Sequence, residues 1–170
     1  MGGWLPRSQR RARSGQALVE FALVFPMIML LFMGVFDLGR GVFAYNEVSN
    51  AAREGTRTAI VNQNLADVRA RAAAQAVSLG IPTSAPTDCP ASLDGPPTDP
   101  AGICVTFLTP DLSAACTTPL TVGCVADVSV KYTYHPITPI IGNLVGSLTL
   151  VSTSREPIES VCSGTGCPIP

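Results

Sequence analysis

The stretch GQALVEFALVFPMIMLLFMGVF, residues 15–36, decides the fold of this chain. Its apolar run from Ala17 to Phe36 is about 20 residues long, which as a helix matches the hydrocarbon core of a bilayer, about 30 Å thick. Glu20 is the only charged residue in that run, and Asp37 and Arg40 mark its far edge. We therefore predict a transmembrane helix over residues 16–41.

The charges that flank this run predict its orientation. Four arginines precede Gly15 in a basic arm that covers residues 1–15: Arg7, Arg10, Arg11 and Arg13. The positive-inside rule then leaves the amino terminus cytoplasmic and the rest of a single-pass protein extracytoplasmic, in the cell membrane. A cleaved secretory signal is the alternative, but its apolar core has roughly 7–15 residues. The run here is longer, and the nearest cleavage candidate, after Ala44, lies beyond the charged edge.

Composition excludes two broad classes of protein. The chain has 170 residues, of which 46% are hydrophobic and 14% charged, so it is too apolar to be disordered. Without the four leading arginines it keeps seven basic residues against 12 acidic ones. Because this body has no basic stripe, we expect no nucleic-acid partner. The lipid bilayer is the partner that the composition does predict.

All six cysteines follow the apolar run, which agrees with an exported body. An even number of cysteines in a small exported domain predicts a disulfide framework, although six allow 15 pairings. Short loops favour Cys116–Cys124 and Cys162–Cys167, which leaves Cys89–Cys104. A zinc site is disfavoured, since there is no CxxC pair and the single histidine, His135, is far from any cysteine pair in sequence. We predict no metal and no cofactor.

The chain beyond the membrane predicts helices first and strands later. A proline-free region, residues 42–81, continues the first helix and then forms a second one with Asn64 as its N-cap and Gly80 past its end. We expect the apolar face of that second helix to consist of Leu65, Val68, Ala72, Ala76 and Leu79. Ala51, Gly55 and Ala59 form a stripe of small residues, which fits either packing within the chain or contact with a partner. Arg53, Glu54 and Arg57 would form a solvated face.

Residues 82–170 predict a cysteine-rich β domain. The segment from Pro82 to Gly102 suggests an ordered loop tied by cysteines, and residues 103–108, 124–135 and 147–157 suggest strands. The middle strand alternates, with Ala126, Val128 and Val130 on one face and Asp127 and Ser129 on the other, so we expect one covered face. The predicted fold is α+β: a long helix that covers a small antiparallel, disulfide-stapled sheet.

Catalysis finds little support in the sequence. The chain has no GxSxG, Walker or HExxH motif, and any triad must use His135. A lone histidine beside a proline at a strand end is usually structural. We therefore expect that the protein is not an enzyme.

The residues around Gly15 resemble the leader of a type IV prepilin. A basic arm and a glycine precede a chain that would start at Gln16, with Glu20 in fifth place and the aromatic Phe21 in sixth. The resemblance implies cleavage after Gly15 by a prepilin peptidase. The new amine, on a neighbouring subunit or the same one, would pair with Glu20, because a buried unpaired carboxylate is costly. The alternative is a carboxylate that only reaches towards the membrane interface.

A wider stretch is similar to the TadE-like family, the pseudopilins of the tight-adherence (Tad/Flp) pilus machinery. The pattern Gly-Gln-x-x-Val-Glu-Phe-Ala is followed by Pro26 and then by Ala-Ala-Arg-Glu-Gly-x-Arg, which here is Ala51, Ala52, Arg53, Glu54, Gly55 and Arg57. The resemblance implies a pilin-like domain and a minor, non-enzymatic subunit in the assembly or initiation of Flp pili for adhesion. Its partners would be the prepilin peptidase, other Tad pilins and pseudopilins, and the inner-membrane assembly platform. An uncleaved, membrane-anchored extracytoplasmic binding module is the rival interpretation.

Overall fold

The computed structural model describes residues 9–84, 89, 99–117, 119–138, 142–143, 145–162 and 167, with side chains from residue 15 onward. Arg7, most of the leader side chains and most of the predicted loop between Pro82 and Gly102 lie outside the described residues. Within them the chain forms helices α1 (Gln9–Ala59) and α2 (Leu65–Ala74), a short 3-10 helix (Val77–Leu79), and strands β1 (Ala101–Leu108), β2 (Val125–Tyr134) and β3 (Leu148–Pro157). The three strands form one antiparallel sheet in the order β1-β2-β3. The predicted α+β class is confirmed.

Helix α1 is one continuous element of 51 residues. Its part from Gly15 to Ala59 is the one described helix that is long and apolar enough to cross a bilayer, with a mean hydropathy of 2.4 over its most apolar window. None of that window is covered by the rest of the chain. By length and composition, α1 is therefore suited to membrane anchoring. The chain divides into two compact units, Met1–Gly39 and Arg40–Pro170.

The break between the two helices, residues 60–64, contains Asn62 and the predicted N-cap Asn64. The side chain of Asn64 accepts a hydrogen bond from the Ala66 N–H at 3.0 Å, which confirms it as the N-cap of α2. Asn62 supports the turn, since its amide donates to Asp67 at 3.0 Å. The helix itself is shorter than predicted, because α2 ends at Ala74 and the chain turns before the 3-10 helix.

The predicted apolar face is confirmed at Val68 and Ala72 of α2, and at Ala76 just after the helix, all of which are fully buried. The prediction is wrong for Leu65, which is 39% exposed in the first turn of the helix. The face that packs on the core therefore begins one turn later than the hydrophobic pattern suggested.

The prediction that β2 has one covered face is wrong. Ala126, Val128 and Val130 are buried as expected, but Asp127 and Ser129 on the other face are each only 3% exposed. The physical reason is the position of β2 between two neighbours: Cys104 of β1 pairs with Ser129, and Arg155 of β3 pairs with Asp127. The Cys89–Cys104 disulfide also attaches another part of the chain to this face.

Three disulfides staple the body, and they are the pairs that the short loops favoured. Cys116–Cys124 and Cys162–Cys167 close loops of eight and five residues, and Cys89–Cys104 is the third pair. Their Cα atoms lie 5.6–6.3 Å apart, within the usual range for a disulfide. The body therefore gains covalent links that suit an oxidising compartment.

The segment that follows β3 is held against the end of α1. The Gln63 side chain donates to the Ser160 carbonyl at 2.9 Å and accepts from the Cys162 N–H at 2.6 Å. The Ser160 N–H in turn donates to the Ile60 carbonyl at 3.2 Å. These contacts tie the carboxy-terminal chain to the helix turn after Ala59.

Candidate functional site

The residues of the predicted processing site lie together at the start of the apolar part of α1. Gly15, Gln16, Glu20 and Phe21 occupy adjacent turns of the helix, and all four are left exposed by the rest of the chain. A Cβ placed on Gly15 would meet nothing within 4 Å. The rings of Phe21 and Phe25 are 5.4 Å apart. The described residues thus leave the Gly15 Cα and the Glu20 side chain uncovered.

Pro26 lies within the same helix, as the motif predicts. Because proline has no backbone N–H, it removes one hydrogen bond to the preceding turn. In a membrane, a neighbouring helix or a local adjustment compensates for such a loss. Pro26 therefore marks a point on α1 where the backbone is less fully hydrogen-bonded.

The second motif, residues 51–57, divides into a packed half and an open half. Ala51, Ala52 and Gly55 are buried, together with Ala59 further along the helix. A Cβ on Gly55 would lie 2.9 Å from Cγ1 of Val128 on β2 and 3.1 Å from Cβ of Ala72 on α2. The stripe of small residues thus serves packing within the chain, and lets α1 approach the sheet and α2 closely.

Thr56, inside the same motif, makes a contact that sequence reasoning missed. Its hydroxyl lies 3.0 Å from the Ser154 carbonyl of β3 and 2.9 Å from the Ala52 carbonyl of its own helix. The side chain is fully buried. The sequence offered one signal for this link between helix and sheet: a threonine that lies among small residues at helical spacing.

The open half of the motif lines a cleft of about 550 Å³. Arg53 and Arg57 are exposed and Glu54 is partly exposed, in agreement with the predicted solvated face. The structure adds residues that the sequence could not group with them, since they come from other turns and elements: Asn50, Ile60, Gln75 and Glu156. With two guanidinium and two carboxylate groups at its wall, the cleft suits a polar ligand of mixed charge.

His135 stands exposed at the end of β2. Within the part of the chain that the structure describes, no group of three or more His, Cys, Asp or Glu side chains could hold a metal ion. The six cysteines are used in disulfides.

The sheet carries an ion pair with a buried carboxylate, which the sequence did not predict. Arg155 of β3 donates from Nε to Oδ2 of Asp127 at 2.9 Å. Burial removes the Asp127 carboxyl from water and raises its pKa to about 6. The Arg155 side chain is 35% exposed, so its charge remains hydrated and only partly offsets this penalty.

This pKa predicts a pH dependence of stability. In the unfolded chain we expect the Asp127 carboxyl to have the ordinary aspartate pKa of 3.8, so the native state keeps its proton up to a higher pH than the unfolded state does. The contribution of Asp127 to the free energy of unfolding is thus greatest below about pH 4 and falls by about 3 kcal/mol as pH rises through 6. Asp127→Asn removes this slope, because asparagine can still accept from Arg155 but does not ionise.

The measurement is the difference in the free energy of unfolding between the parent and Asp127→Asn, at several values between pH 4 and pH 7. All other carboxyl groups cancel in that difference. If this difference stays constant with pH, the pKa of Asp127 is not raised in the native state.

The described chain is thus an α+β protein with a helix suited to membrane anchoring and a body closed by three disulfides. Residues 15–57, about a quarter of the chain, match the family model described as TadE-like protein. This confirms the resemblance that the two motifs indicated, and it indicates a protein related to the Tad pilus. No match was found among curated proteins or among solved structures.

Proposed function

We propose that this chain is a minor pilin-like subunit, a pseudopilin, that acts in the assembly or initiation of Tad/Flp pili for adhesion and has no enzymatic role. The observation that carries the proposal is the placement of Gly15, Gln16, Glu20 and Phe21 at the start of an exposed apolar helix, within the TadE-like match. An exposed Glu20 in this position is free to pair with the amine of another subunit. The packed half of the second motif joins the later part of α1 to the sheet and to α2.

The proposed topology places the amino terminus in the cytoplasm and the body outside the cell membrane. The leading arginines support this orientation, and so do the three disulfides, which persist in oxidising compartments. In this arrangement residues 1–15 are the leader, 16–41 the single membrane span, 42–81 the extracytoplasmic helical region and 82–170 the cysteine-rich β domain. The subunit would then be held in the membrane or incorporated in a surface pilus.

The proposed partners follow from the same arrangement. A prepilin peptidase would cut the bond between Gly15 and Gln16 at the cytoplasmic face. Other Tad pilins and pseudopilins would contact the exposed surface of α1, and the assembly platform in the inner membrane would receive the mature subunit.

Substitution of Gly15 tests the processing step. When the parent is coexpressed with a prepilin peptidase, we expect its intact mass to fall by that of residues 1–15. Gly15→Val should keep the full mass, since a branched side chain crowds the backbone that the peptidase must approach. Gly39→Val is the matched control, because Gly39 lies on the same helix and a Cβ there also meets nothing within 4 Å. A parent that retains Met1 beside an active peptidase would refute the proposal.

An uncleaved, membrane-anchored binding module is the second candidate, and the cleft lined by Arg53, Glu54 and Arg57 favours it. Such a module needs neither cleavage nor polymerisation. The mass measurement separates the two candidates: a mature chain that starts at Gln16 supports the pseudopilin, and an intact chain supports the binding module.

A further inference from the structure

The end of β2 lies beside the part of α1 that directly follows the apolar run. The guanidinium carbon of Arg40 is 5.9 Å from the centre of the Tyr134 ring, and a Cβ on Gly41 would lie 3.8 Å from Cε1 of the same ring. Gly41 follows Phe36 by five residues, which is about 8 Å of helix. The headgroup region extends roughly 5–8 Å beyond the hydrocarbon core on each side. The residues of α1 that lie against Tyr134 therefore follow the end of the apolar run within a distance along the helix that is comparable with the thickness of the headgroup region.

The connection between β2 and β3 exposes apolar side chains beside the Tyr134 end of the sheet. Leu148, the first residue of β3, pairs with Tyr134, the last residue of β2, so the connection joins the two strands at the same edge of the sheet. Ile137, Val145 and Leu148 are 69%, 52% and 44% exposed, and we call these three residues the hairpin end. Isolated apolar side chains are common on surfaces, but here two lie in the connection itself and the third opens the strand that follows it.

The sequence around the hairpin end lacks charge. No Asp, Glu, Lys or Arg occurs from Tyr132 to Ser154, a longer interval than the uncharged part of the apolar run itself. A surface that faces water or binds a charged partner normally carries such residues. Their absence beside exposed isoleucine, valine and leucine side chains favours contact with lipid.

We propose that the hairpin end inserts its apolar side chains into the outer leaflet of the bilayer that α1 crosses. The body would then have a second contact with the membrane, which would limit its rotation and tilt about the single helix. The occupant of this surface is lipid, and the inference rests on the proposed membrane anchoring of α1.

Tryptophan fluorescence in vesicles of brominated phosphatidylcholine tests this contact. The full chain has one tryptophan, Trp4, which is replaced by phenylalanine to give a silent background. Ile137→Trp and, separately, Val145→Trp report on the hairpin end, and both replace exposed side chains, so neither disturbs the core. Phe32→Trp, on the exposed apolar part of α1, reports on the membrane span.

Val122→Trp is the matched control. Val122 is 66% exposed, close to the value for Ile137, but it lies at the other end of the sheet. The neighbouring Gly123 N–H donates to Ile158, and Glu159 donates to Ile60. Ile60 follows Phe36 by 24 residues, whereas Gly41 follows it by five, so this end of the sheet joins the chain much further from the apolar run.

We expect tryptophan at 137 and 145 to be blue-shifted and quenched by lipid brominated close to the headgroup, to an extent comparable with Phe32→Trp, while Val122→Trp is unaffected. If both hairpin variants behave like Val122→Trp although Phe32→Trp is quenched, the proposal is overturned while anchoring stands. A blue shift without quenching would mean that protein covers the hairpin end, and this result would also overturn the proposal. If Phe32→Trp itself is not quenched, α1 does not enter the bilayer, and both the proposed anchoring and the contact of the hairpin end are refuted.

Discussion

Glu20→Ala is expected to abolish co-purification of the mature chain with its partner pilins and to remove surface fibres. The proposed role of Glu20 is to pair with a subunit's amine inside a bundle of apolar helices. Loss of one partner from such a buried pair costs about 3–5 kcal/mol, which exceeds a hundredfold in affinity. Insertion of α1 should be unchanged or slightly easier, because a charge is removed from the apolar helix. Cleavage after Gly15 should also persist.

Two further variants separate charge from shape at this position. Glu20→Gln keeps the size of the side chain but not its charge, so it should fail nearly as fully as alanine. Glu20→Asp keeps the charge with a shorter reach, and should be intermediate. The measurements are recovery of partner pilins with the mature chain and counts of surface fibres. If Glu20→Ala assembles as well as the parent, the carboxylate only reaches towards the interface and the pairing is wrong.

Gly55→Leu is expected to lower the free energy of unfolding by about 3 kcal/mol or more. A first side-chain carbon at this position would already lie 2.9 Å from Cγ1 of Val128, and leucine adds three more carbons. Both neighbours, Val128 and Ala72, are fully buried in rigid elements, so the helix must move away from the sheet. Chemical unfolding of the oxidised full chain in detergent measures this effect.

Alanine variants provide the control for Gly55. Gly41→Ala on the same helix meets only Tyr134, at an ordinary 3.8 Å, so it should stabilise by up to about 1 kcal/mol through helix propensity. Gly55→Ala should lose that gain to its contact with Val128. In the double variant with Val128→Ala, the new methyl group occupies space that the valine leaves. The two changes should therefore cost less together than their sum. If the effects of Gly55→Ala and Val128→Ala on the free energy of unfolding simply add, the methyl group at position 55 does not clash with Val128.

Much of this architecture could be predicted from the amino-acid sequence. The apolar run before Asp37 predicted a helix of membrane length, Asn64 predicted the start of α2, and alternation from Ala126 to Val130 predicted the helix-facing side of β2. These signals are local, because each depends on residues within a few positions of one another along the chain. The two motifs also indicated a resemblance to the TadE-like family, whose model matches residues 15–57.

Features that depend on distant parts of the chain required the structure. Spacing alone left the small-residue stripe open to a partner, and only the approach of Gly55 to Val128, 73 positions away, assigned it to internal packing. Asp127 alternates as a surface residue, yet its place on the central strand beside Arg155 buries it. The cleft of Arg53, Gln75 and Glu156 likewise joins three separate elements. Sequence determined which elements form, because their periodicity is local, whereas burial and neighbour charge arise from contacts that only the folded chain creates.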